Sequence, residues 1–138
     1  MTNLRYVLFA GVAALVMNSA IAGDQLGKKD VVKLLSGNTV YGYYIKEAQQ
    51  QGLKGRVRLE IKFFDDGSAE KTTTMAKSTH GQFTEKGKWF VNKRGKLCLV
   101  WKPDNKKRCG KLLRTPDGKY ELHRKQQKFF YEEIVSGN

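Results

Sequence analysis

Two hydrophobic periodicities divide the chain. Over 26–36, Val31, Val32, Leu34 and Leu35 share one side of a helical repeat while Lys28, Lys29, Asp30 and Lys33 occupy the other, which predicts a short amphipathic helix. Gly37, just after Ser36, stands where a left-handed C-terminal cap is wanted. Beyond it the period falls to two. In 56–64, Val57, Leu59, Ile61 and Phe63 alternate with Arg56, Arg58, Glu60 and Lys62, the pattern of a strand with one buried and one wet face. Further strands are expected over 39–46, 69–77, 87–92, 96–102, 107–114, 119–124 and 128–135.

The connections between these runs are short and turn-like: Asp65-Asp66-Gly67-Ser68, a loop around His80-Gly81, Lys93-Arg94-Gly95, Pro103-Asp104-Asn105 and Thr115-Pro116-Asp117-Gly118. Both prolines fall in turns, so no strand is interrupted. About eight short strands joined in this way predict an all-β, mainly antiparallel fold: a small up-and-down, calycin-like barrel with one short N-terminal helix plugging an end. A β-sandwich is the alternative.

Residues 1–22 stand apart from this pattern. Arg5 precedes an uninterrupted apolar run over 6–17, and Ala20-Ile21-Ala22 supplies a small-x-small site, so a secretory signal cleaved after Ala22 is expected. The run is shorter than the roughly 20 residues that span a bilayer. No cysteine follows it to carry a lipid, and no second apolar run follows, so no transmembrane segment is expected in the mature chain. Residues 23–138 then form a single domain in the periplasm or outside the cell. The two cysteines, Cys98 and Cys109, enter an oxidising compartment and flank the 103–105 turn at nearly equal distances. They are expected to face each other on one hairpin as a structural disulfide.

Leu35-Ser36-Gly37-Asn38-Thr39-Val40, Asp66-Gly67-Ser68, Gly87-Lys88-Trp89, Leu97-Cys98, Cys109 and Asp117-Gly118-Lys119-Tyr120 occur in that order along the chain. This series resembles small exported proteobacterial proteins classed as a domain of unknown function, with the pattern GNT, DG, GxW, LC, C, GxY. The resemblance covers nearly all of the chain after residue 22. It implies a periplasmic, barrel-like module and no catalytic residues. This sequence departs from the pattern in being unusually lysine-rich.

The residues themselves name no reaction. His80 and His123 lie far apart with no histidine or cysteine at ligand spacing, so neither metal nor cofactor is expected. A nucleophile elbow and a free thiol are both missing from the sequence. Asp65 and Asp66 read as turn residues, and Glu132 and Glu133, adjacent in a strand, are expected on opposite faces rather than as a facing pair. Trp89, Trp101, Phe63 and Tyr120 read as barrel core. An enzyme is not expected.

Charge is the remaining signal. The chain carries 26 Lys and Arg against 13 Asp and Glu, a net +13. An up-and-down barrel sends alternate connections to alternate ends. One end should therefore gather Lys54, Arg56, Lys77, Lys86, Lys88, Lys102, Lys106, Lys107, Arg108, Arg124, Lys125 and Lys128 against Glu47, Glu85 and Asp104, while the other receives the helix. The expected function is a non-catalytic binding module whose basic rim meets an anionic partner: envelope lipid or lipopolysaccharide, an acidic glycan or an acidic protein. Nucleic acid is disfavoured, because the clusters are mostly lysine without interleaved aromatics. The competing readings are a small enzyme with a polar barrel interior and a structural or envelope-stress protein whose charge serves solubility alone.

Overall fold

The computed structural model describes residues 23–45, 57–75, 81–125 and 127–137. The proposed signal segment 1–22 lies outside them, as do His80, Lys54, Arg56 and Lys77.

Eight antiparallel strands close into a barrel. In chain order they are β2 (Asn38–Tyr44), β3 (Val57–Phe63), β4 (Ser68–Met75), β5 (Gln82–Val91), β6 (Leu97–Trp101), β7 (Lys107–Arg114), β8 (Tyr120–His123) and β9 (Lys128–Ser136). Each pairs with the next, and β9 returns to pair with β2. That last pairing excludes the sandwich. A two-residue strand not expected from the pattern, β1 (Asp24–Gln25), pairs with Leu113 and Arg114 of β7. It takes the edge that β6 leaves free, since β6 pairs with β7 only from Lys107 to Gly110.

The helix α1 (Lys28–Leu35) follows β1 and closes one end. It buries Val31 and Leu35 completely, leaves Leu34 half-buried and exposes Val32. Gly37 ends it with φ +72°, a conformation that costs a residue without Cβ little. The Ser36 hydroxyl donates to Asp65 in the β3–β4 turn at 2.6 Å, which fixes the helix end to the barrel wall. Beneath the helix lie Val40, Phe63, Ala69, Trp89, Val91, Leu97 and Leu112. Trp89 packs edge-on against Phe63 and donates its indole N–H to the Phe64 carbonyl at 2.9 Å, so its one polar atom is satisfied where it is buried.

Two details differ from the alternation expected along the strands. β5 begins at Gln82, five residues earlier than its apolar run suggests, because its first half pairs fully with β4 through polar residues. β9 carries an extra residue: its register with β2 shifts between Tyr41 and Gly42, which face Glu133 and Tyr131. Glu132 is thus bulged. Tyr131 and Ile134 both point inward, so Glu132 and Glu133 fall together on the outer side rather than on opposite faces. Glu132 there pairs with the exposed Arg58 of β3 at 3.6 Å.

Cys98 and Cys109 are register partners on β6 and β7 and form a disulfide. They sit on the outer face, since Leu97 and Leu99 on either side of Cys98 point into the core. By the chain-entropy estimate a cross-link of this loop length contributes about 2–3 kcal/mol.

Candidate functional site

The end of the barrel away from the helix receives the β6–β7 connection (102–106) and the β8–β9 connection (124–127). These turns bring Lys102, Lys106, Lys107, Arg108, Arg124, Lys125 and Lys128 together from the described residues. The single acid in either turn, Asp104, is already engaged. It accepts the Lys106 amide at 3.0 Å and the Arg108 guanidinium at 2.8 Å, and these contacts hold its carboxyl below the usual carboxylate range.

Lys86 and Lys88 flank this rim on the β5 side. Because β5 starts at Gln82, both stand on its outer wall, Lys86 beside Lys102 and Lys88 level with Lys107 across Val100. Arg108 stays at the rim but has the inward parity: it pairs with the inward-facing Leu99, and its part-exposed side chain reaches Asp104. Arg124 continues the inward side of β8 after Leu122, and its guanidinium lies over the Phe129 ring at 4.3 Å. Gly110 makes this possible. A Cβ there would come within 2.9 Å of the Arg124 side chain and 2.7 Å of the His123 carbonyl.

Between these residues is a recess of about 540 Å³. Arg108, Cys109, Arg124, Lys125 and Gln127 form its described walls, with no carboxylate among them. Behind it the Arg124 Nε is buried without a hydrogen-bond partner, and so is the hydroxyl of Tyr131, which is 1% exposed. Burial lowers the pKa of Arg124 from the ordinary arginine value, opposed by the neighbouring Tyr131 and Tyr44 phenols and aided to a lesser extent by the Arg108 charge. Arginine starts so high that it remains charged. Burial pushes the Tyr131 phenol up, so it stays neutral. The arrangement is a partly buried cation held against an aromatic face with no counter-charge in contact among the described residues, the kind of group found at functional sites.

Elsewhere the charges are mixed in sign. A groove of about 790 Å³ runs between α1 and the β7–β9 wall at the helix end, with Asp30 and Glu132 set among Lys33, Arg114 and Lys119. Inside the barrel, Lys71 of β4 and Glu85 of β5 are register partners bonded at 2.8 Å, and the ammonium lies 4.8 Å from the centre of the Trp101 ring. The pattern reading missed this pair. The signal was present in parity, because Lys71 shares the face of Ala69 and Thr73, but its polarity argued for solvent. On the outer face His123 is bonded to Glu121 at 2.7 Å. Among the described residues no three metal-ligating side chains cluster, and no helix is long and apolar enough to cross a membrane.

With the barrel and its rim in place, the comparison with known families is specific in one respect. A family model described as protein of unknown function (DUF995) matches residues 12–134. The chain belongs to that family. No curated protein and no solved structure matches it. The DUF995 match spans the helix, all of the barrel strands to within two residues of the end of β9, and both cysteines. The family assignment carries no activity, so the function must be argued from the rim.

Proposed function

We propose that this protein is an exported, non-catalytic binding module whose basic barrel end meets an anionic surface. The observation that carries the reading is the uncompensated charge at the far end. The β6–β7 and β8–β9 connections and the strand ends beside them carry seven Lys and Arg side chains, three of which line a recess with no carboxylate in its described walls, whereas the groove at the helix end is mixed in sign. A field of one sign over a concave surface concentrates anions and speeds encounter, and salt screens it.

Export is supported by the 98–109 disulfide and by the Arg5, 6–17 and Ala20–Ala22 pattern. N-terminal sequencing of the protein recovered from its native compartment should begin at Gly23. A chain that still begins at Met1 would rule cleavage out.

The surface reading is tested with vesicles. The purified 23–138 protein should sediment with phosphatidylcholine vesicles containing phosphatidylglycerol but not with phosphatidylcholine alone, and binding should weaken steeply between low and physiological salt. Reversing Lys106, Lys107 and Arg108 to glutamate should weaken it by at least about tenfold, since juxtaposed basic residues contribute roughly 1 kcal/mol each near an anionic membrane. Equal binding to neutral and anionic vesicles would refute the reading.

A further inference from the structure

We infer that the recess between the start of β7 and the β8–β9 connection is a receptor for a single dianionic phosphate monoester group, with Arg124 as its principal ligand. The inference rests on the anionic-surface reading and narrows it from a charged rim to one site and one chemistry.

Three cations line the recess, but Arg108 is neutralised by its 2.8 Å bond to Asp104. Arg124 and Lys125 have no acid in contact among the described residues, which leaves the recess with two uncompensated positive charges. A doubly charged group matches that excess. A carboxylate or a phosphodiester, each with one negative charge, leaves half of it unanswered. A phosphate monoester carries between −1.5 and −2 at neutral pH and three oxygens able to accept charge-assisted hydrogen bonds.

Geometry adds selectivity. The Arg124 guanidinium carbon lies 4.3 Å from the centre of the Phe129 ring, and the side chain runs past Gly110, where no Cβ obstructs it. Its orientation is set before any ligand arrives, so little rotamer freedom is lost on binding. The buried Nε, without a partner, shows that the guanidinium has already given up hydration on its inner side without gaining a counter-ion. An anion at the recess face would recover Coulomb energy at a site of reduced dielectric, where such a contact is stronger than on an open surface. A lysine in the same place would lack both the stacking plane and the fork of donors.

Two sources carry this chemistry: a soluble phosphate monoester, and a lipid headgroup such as that of phosphatidic acid. The test uses the 23–138 protein with inorganic phosphate and methyl phosphate, followed by calorimetry and by phosphorus NMR, with chloride at matched ionic strength as control. Saturable binding is expected, weakened at least about tenfold by Arg124→Gln and nearly as much by Arg124→Lys, and unchanged by Lys119→Gln at the other end. Circular dichroism and thermal unfolding check that each variant is folded. If a variant fails that check, competition by methyl phosphate on the wild-type protein decides.

In the vesicle arm, phosphatidic acid should bind more tightly than phosphatidylglycerol at equal surface charge. Release of those vesicles by methyl phosphate assigns the site to a headgroup, and saturable methyl phosphate binding with unaffected vesicles assigns it to a soluble monoester. Either result supports the site. Salt-sensitive vesicle binding at full strength in Arg124→Lys, with no saturable phosphate binding, overturns the site and leaves the anionic-surface reading standing. Loss of vesicle binding and phosphate binding alike in the wild-type protein overturns both.

Discussion

Gly42→Ala should lower the unfolding free energy by at least about 3 kcal/mol, the upper end of what overpacking a close approach costs. The residue is buried in β2 opposite Leu59 on one side and Tyr131 on the other, at the step where the β2–β9 register shifts. A Cβ on it would sit 2.0 Å from the Phe130 carbonyl oxygen and 3.3 Å from the Tyr131 Cα. Both atoms belong to the backbone of the strand that closes the barrel, so no side-chain rotation relieves the clash. The bulge must flatten or the β2–β9 seam must open. Urea denaturation followed by tryptophan fluorescence measures the loss, since Trp89 and Trp101 are both buried. An unchanged midpoint would mean that the seam does not approach as closely as described.

The second large effect concerns Lys71 and Glu85. Their side chains are 13% and 27% exposed, and their bond lies inside the barrel beside Trp101. Removing one partner strands the other charge in a place that water reaches poorly. Breaking a fully buried pair costs about 3–5 kcal/mol, and the residual exposure here reduces that to about 2–3 kcal/mol for Lys71→Met or Glu85→Leu alone. The double replacement is different in kind: it removes both desolvation penalties together and fills the space with apolar atoms. It should cost less than about 1 kcal/mol, so the two single losses should fail to add. Additive losses in the double-mutant cycle would show that the residues act independently and that each is hydrated on its own. The pair therefore reads as an internal strut rather than as paired acid and base, each partner being occupied by the other.

The same polar interior explains why the candidate site was only half legible. The two turns that carry Lys106, Arg108, Arg124 and Lys125 are visible in the chain, and alternation of ends in a meander is enough to bring them together. What alternation alone could not show is that Arg108 and Arg124 belong to the inward face. Each follows the parity of a core neighbour, Leu99 across the ladder for Arg108 and Leu122 two residues earlier for Arg124. A guanidinium at such a position is read as solvated until the fold supplies Phe129 beneath it and Gly110 beside it. That Lys86 stands within a strand rather than in a connection was hidden for the opposite reason. Gln82 to Lys86 lacks the apolar alternation of a half-buried strand, yet it is a strand, because hydrogen bonding to β4 requires no buried side chain.

The local pattern of the sequence was sufficient for the helix and its glycine cap, the number and order of the barrel strands, the turn positions and the facing of Cys98 and Cys109. These depend on periodicity and on neighbours a few residues apart, and periodicity is a property of the chain before it folds. Closure of β9 on β2, the bulge at Gly42, the inward Lys71–Glu85 pair and the single uncompensated recess were decided only by the tertiary structure. They depend on which strand lies across from which. That register is set by contacts between residues far apart in the chain, such as Thr39 and Gly137, 98 positions apart, and a one-residue shift in it exchanges the faces of every side chain beyond.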